Sequence, residues 1–66
     1  MNTQITHGEQ FLAFSAIRNH YNGIIILSVK DLFTCNRICD LYAANKKVPD
    51  DLYHEFKAIV TEQKVN

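Results

Sequence analysis

Most of the predicted fold of this chain lies in the stretch SVKDLFTCNRICDLYAANKKVPDDLYHEFK, residues 28–57. Its first part predicts a short helix that ends at Phe33. The next three residues, Thr34-Cys35-Asn36, have weak helix propensity, and Thr and Asn are good caps. From Arg37 to Ala44 the apolar residues again have helical spacing. The sequence therefore predicts two helices joined by a tight turn at residues 34–36.

A basic link and a further helix complete the stretch. Asn45-Lys46-Lys47 ends the preceding helix, because Asn tolerates left-handed backbone and lysines suit a helix C-terminus. Pro49 cannot continue a helix, but it suits the first turn of the next one. The apolar stripe at positions 52, 56, 59 and 60 predicts a last helix from about Pro49 to Glu62.

Upstream of this stretch, the sequence predicts one more helix. Residues 1–8 have no periodicity and are predicted to form a flexible lead-in. From Glu9 onward, the apolar residues at positions 11, 12, 14 and 17 fall on one helical face. Asn22-Gly23 is a strong helix breaker and a natural C-cap, so this helix is expected from about Glu9 to Tyr21.

The run Ile24–Leu27 is open to more than one interpretation. Three of its four residues are β-branched, which suits a buried strand. No other run is as rich in β-formers, and an unpaired strand leaves backbone groups unsatisfied, so we favour a helix from about Ile25 to Phe33. Alternatively, the capping pattern Ser28-Val-Lys-Asp31 starts a shorter helix and leaves Ile24–Leu27 as an extended linker.

Size and composition indicate one small helical domain. The 66 residues form a single domain, residues 1–66, with room for one core. The predicted fold is all-α: a compact four-helix domain with three long helices and one short one. Domains of this size bury only about 60% of their unfolded surface, which favours self-association. No signal peptide or membrane-spanning run is visible, so we expect a cytoplasmic protein with reduced cysteines.

The charge balance restricts the possible partners. Seven Lys plus Arg against seven Asp plus Glu give a formal charge of zero. A non-specific nucleic-acid binder carries a clear positive excess, and a mimic of DNA carries a strong negative excess. A protein that reads DNA with this composition would have to concentrate its few cations on one face.

The run Leu32–Phe56 resembles the small Cro and repressor type of helix-turn-helix, in the lambda-repressor-like superfamily. Tyr42 stands where that pattern has an aromatic residue that closes the recognition helix, and Val48-Pro49 follows at the usual spacing. Leu32 matches the leucine that ends the first helix of the motif. The resemblance covers about residues 11–60 and implies a compact helical domain that binds DNA as a homodimer.

The resemblance implies a DNA-binding surface on the recognition helix and its flanks. Asn and Arg can read adenine and guanine through bidentate contacts, Asp can accept from cytosine, and lysines can bind phosphates. The residues expected at this surface are Lys30, Asn36, Arg37, Asp40, Leu41, Lys46 and Lys47. The alternative interpretation is a solvated polar face that ends in a lysine pair.

The sequence predicts neither a metal site nor a catalytic site. Cys35 and Cys39 lie one helical turn apart, but a zinc site requires a second pair of ligands and the three histidines are scattered. We therefore expect Cys39 to be a core thiol and Cys35 to be a turn residue. Gly8 and Gly23 are the only glycines, so there is no phosphate-binding loop. No cofactor and no enzymatic activity are expected.

Aromatic residues of the last helix are a further candidate site. Tyr53, His54 and Phe56, together with Tyr21, are placed to form an aromatic patch. The alternative interpretation is ordinary core and rim. In so small a chain, part of the patch can serve as a dimer interface.

Two functions are consistent with the sequence. The first is a small Cro-like transcriptional regulator that binds a palindromic operator in double-stranded DNA as a homodimer and occludes a promoter. The alternative is a non-enzymatic helical protein-interaction module, an inhibitor or adaptor, that binds a protein partner and does not bind DNA. The placement of the cations distinguishes them: the first requires one positive face formed by Lys30, Arg37, Lys46 and Lys47.

Overall fold

The computed structural model describes the backbone of residues 2–63 and the side chains of residues 4–62. Over this range the fold is mostly helical, with three helices and a two-stranded antiparallel sheet. In chain order the elements are β1 (Asn2–Gln4), α1 (His7–Tyr21), α2 (Val29–Ala43), β2 (Lys47–Pro49) and α3 (Asp50–Gln63). The prediction of a helical fold is confirmed. The prediction of four helices is wrong for the described residues, and the small sheet was not predicted.

Helix α2 runs without a break through residues 34–36, where the sequence predicts a turn. Thr34, Cys35, Ile38 and Leu41 are buried along one side of α2. Their spacing of one, three and three residues keeps them on one helical face, so a continuous helix buries all four. This burial outweighs weak helix propensity, which costs at most about 0.7 kcal/mol per ordinary residue. The predicted tight turn is therefore wrong.

Two local features also favour the continuous helix. The Asn36 side-chain amide donates a hydrogen bond to the Leu32 carbonyl oxygen, one turn earlier, at 3.0 Å. A tight turn directly after Phe33 would need a left-handed residue at the helix end, which costs a residue other than glycine about 1–2 kcal/mol. Among the described residues, Asn45 is the one non-glycine residue with a positive φ, at 58°.

The linker between α1 and α2 has no regular secondary structure. Ser28 is the N-cap of α2, and its hydroxyl accepts a hydrogen bond from the Asp31 amide at 3.1 Å. Side chains before the cap alternate, with Leu27 buried and Ile26 exposed, as in an extended chain. The Leu27 amide donates to the His20 ring nitrogen at 3.0 Å and so holds the linker against α1. The favoured helix through this run is wrong, and the alternative of an extended linker is correct.

Helices α1 and α2 both end where the sequence predicts, in a Schellman motif. In each, the second residue beyond the C-cap donates its amide to a carbonyl five residues earlier, at 2.9 Å. The residue directly after the cap is left-handed: Gly23 has φ 79° and Asn45 has φ 58°. These ends are predictable because glycine and asparagine tolerate this conformation best.

Regular secondary structure is present within residues 1–8, which the sequence predicts to be a flexible lead-in: residues 2–4 form β1 and residues 7–8 begin α1. Strand β1 pairs with β2, with Thr3 opposite Val48. Val48 is fully buried, which fixes this pair of strands against the helices. Helix α1 begins at His7, two residues before the predicted start. Met1 lies outside the described residues.

The core lies between the helices and β2. Its largest fully buried side chains are Phe56, Ile38, Val48 and Cys35. Phe56 and Ile59 belong to the stripe predicted for the last helix, and both are buried. This helix starts at Asp50 because Pro49 is the last residue of β2. Cys35, expected in a turn, is instead a core residue of α2.

A polar cluster joins the start of α1 to α3. Glu9 and Thr6 form a capping box: the Glu9 carboxylate accepts from the Thr6 amide, and the Thr6 hydroxyl accepts from the Glu9 amide, each at 3.1 Å. The Tyr53 hydroxyl also donates to this carboxylate, and the Lys57 ammonium lies 3.7 Å away. Burial raises the pKa of Glu9, but the bonds from Tyr53 and Thr6 and the Lys57 charge outweigh it, so the pKa is lowered.

We expect Glu9→Gln to weaken the acid dependence of stability. A carboxyl with a lowered pKa stabilises the fold above its unfolded pKa, about 4.3, and this contribution is lost as the pH falls through the folded pKa. Below about pH 5 the free energy of unfolding should therefore fall more steeply in the wild type than in Glu9→Gln. Urea denaturation followed by circular dichroism, at a series of pH values, measures the slope of the free energy of unfolding against pH for both proteins.

The matched control for this experiment is Glu62→Gln, because Glu62 is an exposed carboxylate on α3. It should keep the wild-type slope. Identical slopes for Glu9→Gln and the wild type would contradict a lowered pKa at Glu9.

Candidate functional site

Helix α1 buries its small residues and exposes its large ones. Ala13 and Ala16 are buried, and Ile17 is partly buried against the core. Phe11 and Phe14 remain 54% and 48% exposed. Helices with small residues at their contact can approach closely, because the distance between helix axes depends on the side chains there. The aromatic side chains of α1 are therefore available to a partner.

More apolar side chains are exposed where α1 leads into α2. Val29 is 87% exposed and Phe33 is 66% exposed, and both are in the first half of α2. We define the apolar surface by seven exposed residues on α1, the linker and α2: Phe11, Phe14, Tyr21, Ile24, Ile26, Val29 and Phe33.

The members of the apolar surface lie on neighbouring elements. Phe11, Phe14 and Tyr21 share one side of α1, because their spacings of three and seven residues match the helical repeat. Gln10, one turn before Phe14, hydrogen-bonds the Cys39 thiol of α2, so this side of α1 borders α2. The linker is short, so the end of α1 and the start of α2 lie at the same end of the molecule. Exposed apolar patches of this kind mark binding sites.

The residues predicted to read DNA lie partly on one side of α2. Asn36, Arg37 and Asp40 are exposed, and their spacing places them opposite the buried face. Leu41 is buried, with 8% exposure, and belongs to the core. The prediction that Leu41 lies on the exposed face is therefore wrong. The continuous helix places Leu41 on the same side as Ile38.

The predicted lysines are exposed, but they lie at opposite ends of α2. Lys30 is in the first turn, and its ammonium lies 3.7 Å from the Glu55 carboxylate of α3. Lys46 follows the end of α2, and Lys47 belongs to β2. The 15 residues of α2 span about 22 Å, so Lys30 is roughly that far from Lys46 along the helix axis. Because Asp40 lies between them, the structure does not gather these cations on one face.

The candidate aromatic patch on α3 is not formed. Phe56 is fully buried, and Tyr53 is half-buried where its hydroxyl bonds Glu9. His54 is exposed on α3, whereas Tyr21 is exposed at the end of α1. The alternative interpretation of core and rim is correct for Phe56 and Tyr53.

Both cysteines are free thiols within α2. Burial raises the pKa of Cys35 to about 11, with smaller contributions from Cys39 and Asp31. Burial, followed by the charge of Asp40, also raises the pKa of Cys39, against the hydrogen bond from Gln10. A thiol that stays protonated at neutral pH is a weak nucleophile.

A groove of about 340 Å³ separates α1 from the C-terminal half of α3. Its apolar lining includes Leu12, Ile25 and Val60. Lys57 is the charged residue of its lining, and the Lys57 ammonium already pairs with Glu9 at 3.7 Å. The apolar surface on the other side of α1 is therefore the stronger candidate for a binding site.

The described residues contain no group of three or more His, Cys, Asp or Glu side chains that could hold a metal ion. Within residues 2–63, no helix combines the length and the apolar character required to cross a membrane. No family model, curated protein or solved structure matches the chain. Membership of the Cro and repressor family stays a prediction, and the function has to be inferred from the surface itself.

We expect Cys39 to react with Ellman's reagent before Cys35 in the folded protein, because Cys39 is half-buried and Cys35 is fully buried. The absorbance of the reaction product, followed at neutral pH, should show one thiol that reacts slowly and one that reacts very slowly. Both thiols should react rapidly after the protein is unfolded in urea. Cys39→Ala should leave only the very slow reaction. Rapid labelling of Cys35 in the folded chain would contradict the packing of α2.

Proposed function

We propose that the chain is a non-enzymatic helical interaction module that binds a protein partner through the apolar surface. The observation that carries this proposal is on α1, where alanines contact the core while Phe11 and Phe14 stay about half exposed. The linker and the first half of α2 add further exposed apolar side chains, among them Val29 and Phe33. An inhibitor or adaptor of this kind acts by covering or bridging surfaces of other proteins, without catalysis.

Burial of the apolar surface would supply most of the binding free energy. Fully burying a Phe, Ile or Val side chain contributes about 1.5–3 kcal/mol. Val29 and Phe33 are 87% and 66% exposed, so most of this free energy remains available to a partner. Aromatic residues and Arg are enriched at interfaces, and the Arg18 guanidinium lies 5.7 Å from the centre of the Phe14 ring.

The charge distribution also favours a protein partner over DNA. The formal charge is zero, and Lys30 is paired with Glu55. Asp40 lies one turn from Arg37 on the outer side of α2 and would face phosphates if this side entered a groove. Affinity for DNA depends on cations that outnumber the carboxylates of the contact face.

Operator reading by α2 is the second candidate function. Arg37 supports it, because Arg37 is exposed beside Asn36 and forms no ion pair with any described residue. A free guanidinium on an exposed helix can bond guanine with two hydrogen bonds. A homodimer would then present two copies of α2 to a palindromic site.

If α2 reads DNA, binding to duplexes from the region upstream of its gene should weaken as salt rises. Arg37→Ala should then lower the affinity by about 1–3 kcal/mol, because a bidentate contact to a base is lost. Fluorescence anisotropy with labelled duplexes measures both effects, and His54→Ala on α3 is the matched control. The interaction module predicts no specific binding. Tight binding that Arg37→Ala abolishes would favour operator reading instead.

The protein-interaction proposal predicts that a photo-crosslinking amino acid at Phe14 captures a protein in the cells that encode the chain. The apolar surface places this side chain against a bound partner, so the adduct should be a discrete heavier band that mass spectrometry can identify. The same probe at Tyr21 should capture the same protein, because both residues lie on one side of α1.

The control carries the probe at His54, an exposed polar position on α3. It should give several-fold less of the adduct. Equal capture from His54 and Phe14, or capture of nucleic acid alone, would contradict the proposal.

A further inference from the structure

We propose that α2 pairs with the α2 helix of a second copy of this chain, in antiparallel orientation. The contact is a stripe of four residues on the outer side of α2: Lys30, Phe33, Arg37 and Asp40. This inference rests on the proposed interaction function, because it assigns the α2 part of the apolar surface to one partner.

The stripe has the geometry of a helix-pairing seam. Its residues are spaced by three, four and three positions, which is the repeat that keeps side chains on one side of paired helices. All four are exposed, and Phe33 is 66% exposed. Val29, one turn before Phe33, is 87% exposed and flanks the stripe. A second helix can therefore reach the whole stripe without any change in the core.

The order of charges along the stripe selects the antiparallel orientation. The spacing is the same when read from either end, so an antiparallel copy places Lys30 opposite Asp40 of the second copy, twice in the dimer. The same arrangement places Phe33 opposite Arg37 of the second copy, where a guanidinium can stack on an aromatic ring. A parallel copy would instead oppose identical charges at three of the four positions, which disfavours binding.

Lys30 can take part although Glu55 is near. Its ammonium lies 3.7 Å from the Glu55 carboxylate, yet 76% of the Lys30 side chain remains exposed. Exposed ion pairs of this length are weak, so a second carboxylate can share the ammonium. Arg37 and Asp40 form no ion pair with any described residue and are open to contacts from a second copy.

A single helix pair is a small interface, below about 1,200 Å² in total, so the dimer should form only as the protein concentration rises. The pairing would also cover Arg37 and neighbouring Asn36. Self-association through this stripe and DNA reading by the same face therefore exclude each other.

A charge exchange between two variants tests the pairing by sedimentation equilibrium over a concentration series. In Lys30→Asp and in Asp40→Lys, each homodimer would contain two like-charge contacts, so each variant alone should self-associate at least about tenfold more weakly than the wild type. In an equimolar mixture, every aspartate would face a lysine again. The mixture should therefore regain dimerisation close to the wild-type level.

The control pair, Lys46→Asp and Asp51→Lys, makes the same charge changes at exposed positions outside the stripe. Self-association of each control variant should match that of the wild type, and circular dichroism should show that all variants fold. The proposal is overturned by a wild type that stays monomeric, by unchanged dimerisation of the stripe variants, or by a mixture that stays as weak as its components. Weakening by the control pair would also overturn it.

The charge-exchange experiment can fail without contradicting the broader proposal that the chain is a protein-interaction module. Capture of a different protein by the probe at Phe14, together with a failed charge exchange, would leave the interaction module intact and remove the second copy as its α2 partner. Restored dimerisation without any other captured protein would support self-association.

Discussion

Burial of one side of α2 determines how the other elements of the domain pack. Thr34, Cys35, Ile38 and Leu41 fill the space between α1, α3 and β2. If the helix were broken after Phe33, these side chains could not share one face, and part of the core would be exposed. The continuous helix fixes where its other side points, and that outer side carries Phe33, Arg37 and Asp40, which the DNA-reading and self-pairing hypotheses require.

The packing of α1 follows from the same core. Ala13 and Ala16 fit against the neighbouring elements, and the larger Phe11 and Phe14 remain on the outside. In a chain of 66 residues, so much exposed aromatic surface is unfavourable in water unless a partner covers it. The fold and the proposed function are thus linked. Because α1 contacts the core through its alanines, its phenylalanines remain exposed for an interface.

Some of the structure can be predicted from local sequence signals. The C-terminal ends at Asn22-Gly23 and Asn45, and the stripe with Phe56 on α3, depend on short-range chemistry and are correct. The continuity of α2 could not be predicted in this way, because burial of Thr34 and Cys35 depends on contacts with distant residues. Propensity alone is a weak guide where tertiary packing opposes it.

The two strands and the exposed apolar surface also depend on contacts between distant residues, so local sequence signals do not predict them. Strand β1 has little β-forming sequence of its own and is defined by its partner, where Val48 is buried. The apolar spacing of α1 does not tell which of its sides faces the core, since alanines occupy the buried side. Among the predicted site residues, Asn36, Arg37 and Asp40 do share an exposed side, while Leu41 does not. The Thr6-x-x-Glu9 capping box was readable from the sequence and marks the true start of α1.

Helix α2 is one uninterrupted helix from Val29 to Ala43, and both the core and the exposed stripe depend on its continuity. Backbone NMR can test this through the Cα chemical shifts and amide exchange rates of residues 33–38. A continuous helix predicts helical shifts at all six positions and slow exchange at the amides of Cys35 and Ile38, which lie on its buried side. Non-helical shifts and rapid exchange at residues 34–36, with helical values on both sides, would show a helix-turn-helix bend and contradict the account.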